Sequence, residues 1–291
     1  MSLLVDLRAA KEWLAETDGD VELKDAAEEA YWKSATTRLS TTLAIAHQAA
    51  EFYIKGRIAE ISPFLLLSSN VRDWPKVDAD GNTSFSRLRT IDAQDLVRLH
   101  DRCSMSPLNE DFKAQLENIR VRRNSIMHTV GTGLAVKVNE LVKSILGVHE
   151  NLMGAEWLDF RRAALDQSSA SKLYSEIERW SDAHLVQEYL VVEAILSAAE
   201  LEKFFGLPAG QRRYICPQCT WDTFADSDIL VNSAVLLPNT PGSTNTRCPL
   251  CNAHQPVFRR DCERVGCPGN VISDDWIKCL TCGSSQTDPA E

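Results

Sequence analysis

Apolar residues recur at helical spacing through the first two thirds of the chain, and that periodicity collapses in the last third. Leu3, Leu4, Leu7 and Leu14 predict a short helix over residues 3–17. A longer helix is predicted from Leu23 to Ser62, with Leu39, Leu43, Ala46, Ala50, Tyr53 and Ile54 forming one buried stripe. Pro63 stops or bends it, because proline lacks the amide hydrogen a helix interior needs. Asn70, Pro75, Asp78, Gly81 and Asn82 mark residues 69–90 as an exposed loop. Helices resume over Asp92–Cys103 and Leu108–Met127, the latter with a face of Phe112, Leu116, Ile119 and Ile126. Gly131 and Gly133 close that segment in the position glycine favours after a helix. Further helices are expected over 134–152, 155–165 and 169–205, with Ser181 as the point where the last would break. Pro208-Ala209-Gly210 then marks a boundary. The pattern predicts an all-α domain over residues 1–207, of which 155–207 reads as a helical extension. A small cysteine-rich domain with short β-hairpins follows at 211–286.

Composition narrows the class. Hydrophobic residues make up 44% and charged residues 25% of the 291, which is ordinary for a globular protein. The opening Met1–Glu16 mixes charge into its apolar run and is not expected to be a signal peptide. The longest apolar run, Tyr189–Ala199, is short and interrupted by Glu193, so no membrane span is expected. A cytoplasmic protein with reduced thiols is the expectation. The net charge of −10 argues against a broad basic surface that coats nucleic acid. Residues 205–291 hold 7 Lys/Arg against 9 Asp/Glu, so the cysteine-rich part is no exception, and any nucleic-acid contact must be local.

Eight of the nine cysteines fall into four pairs: Cys216/Cys219, Cys248/Cys251, Cys262/Cys267 and Cys279/Cys282. A two-residue gap lets a tight turn aim both thiolates at one ion while backbone amides support the sulfurs. Two such knuckles complete a tetrahedron, and four pairs predict two structural zinc ions. A closed four-cysteine site leaves no position for water and is not catalytic. Sequential pairing would put Cys216, Cys219, Cys248 and Cys251 on one ion and the last four on the other, as two zinc ribbons. An interleaved cross-brace is the alternative, and the ten residues between Cys251 and Cys262 count against it. His254 lies close enough to a knuckle to substitute as a ligand. Cys103, alone in a helix, reads as a small core residue.

The most informative helical stretch contains Arg123, Asn124 and His128. Arginine offers a permanently charged, bidentate donor to a phosphate oxygen and the charge that develops on it. Histidine, with an ordinary pKa near 6.5, moves a ribose 2′-hydroxyl proton or protonates a leaving 5′-oxygen. Asn124 lies one helical turn before His128 and is placed to fix the imidazole or a phosphate. Spacing alone favours a solvated basic face with a histidine near a helix C-terminus. His47 and Glu51 share a face four residues apart and supply either a supporting acid–base layer or a structural pair. Arg120 and Arg122 add positive charge beside the motif, although Glu117 and Arg120 are also spaced as an intrahelical ion pair.

The Arg123-Asn124-x-x-x-His128 pattern on the fourth predicted helix resembles the HEPN superfamily, whose catalytic pattern is an arginine, a polar residue and a histidine. The segment His47-Gln-Ala-Ala-Glu51-Phe-Tyr-Ile-Lys55 is similar to the HEPN helix that carries a polar cluster and a lysine. The resemblance covers roughly residues 20–155. It implies a helical bundle that dimerises so that two Arg–His motifs face one cleft, with RNA as substrate and no metal in the chemistry. It further implies a toxin or antiviral defence role, with an antitoxin or defence protein as partner. Arg123, Asn124 and His128 would be catalytic, and His47, Glu51 and Arg120 supporting. The zinc ribbons would then select the RNA or recruit a partner, through Arg247, Arg259, Arg260 and Arg264 with Trp221, Phe258 and Trp276 as stacking surfaces. The rival expectation is a non-catalytic dimeric adaptor or regulator that binds nucleic acid or protein through its ribbons.

Overall fold

The computed structural model describes residues 21–68, 72, 88–128, 136–154, 156–173, 179–222 and 229–287. The predicted helix over 3–17, most of the loop at 69–90, and Gly131 and Gly133 lie outside them. The described chain is helix-rich as far as Phe205 and then forms a small antiparallel sheet around two groups of four cysteines. It falls into two compact units, one over Glu29–Ala155 and one built mainly from Glu156–Glu291.

The first unit contains α1 (Val21–Ile61) from Glu29 onward, a 3-10 turn (Pro63–Leu66), α2 (Ala93–Cys103), α3 (Glu110–His128) and α4 (Val138–Leu152). Helix α1 buries Ala35, Leu39, Leu43, His47, Ala50, Ile54 and Ile58, a strict three-and-four spacing. The stripe differs from the sequence expectation at two positions. His47 occupies the buried place expected of Ala46, and Tyr53 is 39% exposed. Helix α3 buries Phe112, Leu116 and Ile119 as its periodicity predicts, while Ile126 is half-buried. The Asn109 side chain accepts a hydrogen bond from the Phe112 amide at 2.7 Å and so caps the start of α3. Cys103, at the end of α2, is half-buried rather than fully in the core.

The second unit contains α5 (Trp157–Asp166), α6 (Ser169–Leu173), α7 (Trp180–Val192) and α8 (Ala198–Phe205). The helix expected over 169–205 with a break near Ser181 is interrupted twice, at Arg179, whose φ is 63°, and again before α8. Ser197 is the reason at the second break. Its hydroxyl accepts from the Glu200 amide while the Glu200 carboxylate accepts from the Ser197 amide, a capping box that starts a new helix. Gly206, at φ 63°, then closes α8 in the left-handed region.

Strands β1 (Tyr214–Ile215), β2 (Asn232–Leu236), β3 (Asn245–Arg247), β4 (His254–Phe258) and β5 (Ile272–Ser273) pair antiparallel in sequential order, with α9 (Pro217–Asp222) between β1 and β2. The pairing also returns to its start. The Leu280 amide bonds to the Val271 carbonyl at 2.9 Å, and the Leu280 carbonyl accepts from the Ile215 amide at 2.8 Å. The expected hairpins are thus joined into one backbone network.

Side chains of α5 and α7 tie those helices to the sheet region, a role their sequence did not announce. Tyr189 of α7 is fully buried, and its hydroxyl donates to Glu193 at 2.8 Å or to the Asn232 carbonyl at 3.2 Å. Arg213 holds the same Tyr189 oxygen at 3.0 Å and Glu193 at 2.7 Å. Burial in this network raises the Tyr189 phenol far above its ordinary value. Arg162 reaches the Leu250 carbonyl at 2.7 Å, between the second pair of cysteines.

Candidate metal centres and the arginine–histidine face

Cys216, Cys219, Cys248 and Cys251 form one group and Cys262, Cys267, Cys279 and Cys282 the other, with the ligand atoms of each within 4.8 Å of one another. The grouping follows sequence order. Helix α9 turns directly after Cys216, and the Cys219 amide donates to the Cys216 sulfur at 3.4 Å. The turn from β3 to β4 presents Cys248 and Cys251, aided by Asn252 at φ 56°. Equivalent amide bonds reach Cys262 from Arg264, Cys267 from Gly269 and Cys279 from Thr281, each at 3.4 Å.

The donor geometry tests what these groups can hold. A regular tetrahedron with zinc–sulfur bonds of about 2.3 Å has sulfur–sulfur edges of about 3.8 Å. The Cys216–Cys251 and Cys219–Cys248 sulfurs are 3.7 and 3.6 Å apart. The Cys262–Cys282 and Cys267–Cys279 sulfurs are 3.7 and 4.0 Å apart. All eight are free thiols, and these separations are far too long for disulfides. Both groups can hold a metal ion, and four thiolates fit zinc. A bound ion would supply cross-linking between distant parts of the chain and, with every position filled by sulfur, no site for a reacting water.

The two groups differ in their surroundings. Cys216, Cys219 and Cys248 are buried, with the Ser233 hydroxyl 3.2 Å from the Cys248 sulfur. In the second group only Cys279 is buried. Burial works against the Cys282 thiolate, but hydrogen bonds from the Ser284 hydroxyl and amide outweigh it and draw the thiol down to about 6. His254 joins neither group; it lies exposed opposite Arg247 in the β3–β4 pairing. Gly269 carries a packing demand that spacing could not reveal. A Cβ there would lie 2.7 Å from the Cys279 sulfur and 2.8 Å from the Thr281 Cβ. Gly269→Ala should therefore cost about 1–3 kcal/mol and weaken the second site. Competition with a chromogenic chelator should show one of the two ions released sooner from this variant than from wild type.

In the first unit, the arginine motif occupies the last turns of α3. Arg123 donates to the Asn124 side-chain oxygen at 2.9 Å, so Asn124 holds the guanidinium. The side chain of His128 lies outside the described residues; its backbone is the last residue of α3. Arg120 grips Glu117 through two bonds of 2.8 and 2.7 Å, and Arg122 pairs with Glu140 of α4. The extra positive charge expected from Arg120 and Arg122 is therefore largely neutralised in place.

His47 of α1 comes close to this face, which helical spacing along α1 alone could not indicate. Its Nδ1 lies 3.8 Å from the Glu51 carboxylate, too far for a hydrogen bond, and has no hydrogen-bond partner. Burial lowers its pKa; Glu51 opposes that shift, while the charges of Arg123 and Arg120 reinforce it. His47 is thus held neutral near pH 7. The folded state resists protonation below the ordinary value of about 6.5, so the unfolded chain binds the proton first and stability falls as pH falls. His47→Gln, which has no such proton to bind, should lose less melting temperature between pH 7.5 and pH 5.5 than wild type. Thermal melts at the two pH values measure the difference.

Beside these residues, α1, α2 and α3 enclose a cavity of about 470 Å³ lined in part by His47, Glu51, Glu117 and Arg120. Of the aromatic residues expected as stacking surfaces in the second unit, Trp221 is 84% exposed on α9. Trp276 is covered by the Lys278 ammonium, 4.4 Å from its ring centre, and Phe258 is half-buried. Arg259 is held by Asn270 and Arg260 by the Thr287 carbonyl, whereas Arg247 and Arg264 are exposed.

Among the described residues, no helix is long and apolar enough to cross a membrane. No family model, curated protein or solved structure matches this chain.

Proposed function

We propose that this chain is a metal-independent endoribonuclease of the HEPN type, whose two four-cysteine sites hold zinc and build a recognition module. The observation that carries the reading is the Arg123 guanidinium, steadied by Asn124 at 2.9 Å in the last turns of the helix that ends at His128. An imidazole and a guanidinium at one helix end suit phosphoester transfer. The ribose 2′-oxygen attacks phosphorus and loses its proton to a neutral imidazole, for which His47 is suited. The bond to the 5′-oxygen breaks, and that oxygen takes a proton from His128. Arg123, steadied by Asn124, balances the charge that builds on the non-bridging oxygens. The products are a 2′,3′-cyclic phosphate and a 5′-hydroxyl. A homodimer that brings two motifs to one cleft, and a partner protein that restrains the activity in a toxin or defence setting, belong to the same proposal.

Labelling the new 5′ ends tests the chemistry directly. They should accept phosphate from a polynucleotide kinase without prior dephosphorylation. Ends already carrying a 5′-phosphate would contradict the mechanism, because they require water to attack from the opposite side.

One observation favours a second reading. Trp221 stands exposed beside the first knuckle, and Arg247 and His254 face each other across β3 and β4 on the same module. A non-catalytic adaptor that binds nucleic acid through this surface would need those groups and not Arg123.

A further inference from the structure

We propose that Cys262 and Cys282 form an oxidation site: hydrogen peroxide joins their sulfurs as a disulfide, and the second four-cysteine centre loses its ion while the first keeps its own. This rests on the reading that both groups hold zinc, and it needs no cleavage of RNA. An asymmetry of access supports it. In the first group Cys216, Cys219 and Cys248 are each at most 1% exposed, and only Cys251 reaches solvent. No two sulfurs there are open together. In the second group Cys262, Cys267 and Cys282 are all partly open, and only Cys279 is buried. Of the open three, Cys262 and Cys282 stand with their sulfurs 3.7 Å apart, whereas Cys267 lies 4.0 Å from the buried Cys279.

The surroundings of that pair favour the reaction. Cys262 stands at the start of an open loop, in which Glu263, Arg264, Val265 and Gly266 are all exposed and Val265 is 99% exposed. A peroxide molecule, little larger than water, reaches the sulfur there without any opening of the core. The Ser284 hydroxyl lies 3.6 Å from the Cys262 sulfur and 3.0 Å from the Cys282 sulfur, so one proton donor serves both. The Gln286 side-chain amide adds a bond to Cys262 at 3.4 Å. A disulfide requires the two sulfurs to close from 3.7 Å to about 2.05 Å. The exposed loop beside Cys262 accommodates that shift more easily than the buried turn that holds Cys216 and Cys219.

The chemistry balances. The Cys262 thiolate attacks one peroxide oxygen, the O–O bond breaks, and hydroxide departs, leaving a sulfenic acid on Cys262. The Cys282 thiolate then attacks the Cys262 sulfur; the S–S bond forms, the S–O bond breaks and a second hydroxide departs. Two protons, relayed by Ser284 from solvent, turn the hydroxides into water. Each sulfur loses one electron and the peroxide gains two. Cys267 and Cys279 are then the only donors left, and two thiolates do not retain an ion that four were needed to hold. Peroxide thereby loosens the part of the C-terminal module that the second centre ties together, and a thiol reductant reverses the change.

The test is a hydrogen peroxide titration of the full zinc-loaded chain in the presence of a chromogenic chelator. Alkylation of the remaining thiols and peptide mass mapping follow on the same samples. Zinc content before peroxide is added separates the two readings: a chain that carries no zinc as purified removes the premise and the proposal together. With zinc in both centres, one ion should be released about tenfold faster than the other or more, with the loss of two thiols. The map should show a Cys262–Cys282 disulfide while Cys216, Cys219, Cys248 and Cys251 still accept the alkylating reagent. Dithiothreitol followed by zinc should restore the lost ion. Release of both ions at one rate overturns the proposal, as do a disulfide that joins any other pair and an oxidised product that the reductant does not reverse. Retention of both ions under peroxide that fully oxidises glutathione in the same tube overturns it too.

Discussion

Cys219→Ser should empty the first four-cysteine site and unfold the C-terminal unit, leaving less than one zinc ion per chain. Two physical facts give that size of effect. A structural zinc site contributes about 10 kcal/mol or more, which is comparable to the whole stability of a small domain. The Cys219 sulfur is fully buried, so the serine oxygen that replaces it is both a poorer ligand and a buried polar atom. The second ion should follow the first because the backbone network is continuous. Strand β1 leads directly into Cys216 and bonds to Leu280, between Cys279 and Cys282. Strand β4, which follows Cys251, pairs with β5 through Val257 and Ser273. Elemental analysis together with near-ultraviolet circular dichroism measures both quantities. Clean loss of one ion, with the second site and its dichroism intact, would show two independent ribbons. Cys262→Ser, in the more exposed group, should be the milder change.

The second large effect concerns Arg123. Arg123→Ala should reduce RNA cleavage by about 10²–10³-fold, the usual cost of removing one preorganised donor from developing charge. Its melting temperature should stay close to that of wild type, because the bond Arg123 makes is to the neighbouring Asn124. Arg123→Lys should not restore the rate, since a point charge lacks the planar two-pronged geometry. Arg120→Ala is the control: its guanidinium is already engaged by Glu117, so a smaller loss is expected. Initial rates on one labelled RNA, with a melt for each variant, separate the two arginines. Equal rates for wild type and Arg123→Ala would remove Arg123 from the chemistry.

The cysteine groups were legible in the sequence because ligand spacing is a local property: a knuckle is four residues long wherever it sits. The sequential grouping of the pairs was favoured on the same ground. The joining of the hairpins was not legible, because it depends on Leu280 meeting both Val271 and Ile215, which no periodicity records. Helix α1 shows a second limit. Its apolar pattern located the stripe but placed Ala46 in it, whereas a three-and-four rhythm from Leu43 to Ala50 passes through His47. A histidine on an apolar stripe was the available signal for a buried polar group. The helices between 156 and 205 carry ordinary amphipathic residues, and the ties of α5 and α7 to the sheet region depend on Tyr189, Arg162 and Arg213 reaching distant carbonyls and side chains. The cavity needs three helices at once, and sequence spacing describes one helix at a time.

The most direct measurement is cleavage of total and transfer RNA by the full chain in the presence of EDTA, comparing wild type with His128→Ala. Zinc content and oligomeric state are read on the same samples, so that loss of the zinc sites is not mistaken for loss of chemistry. Cleavage by wild type is expected, with a reduction of about 10²-fold or more in His128→Ala and with zinc and oligomeric state unchanged. Equal cleavage by both proteins, or none by folded, zinc-loaded wild type on any RNA tried, would contradict the nuclease reading and leave the adaptor reading in its place.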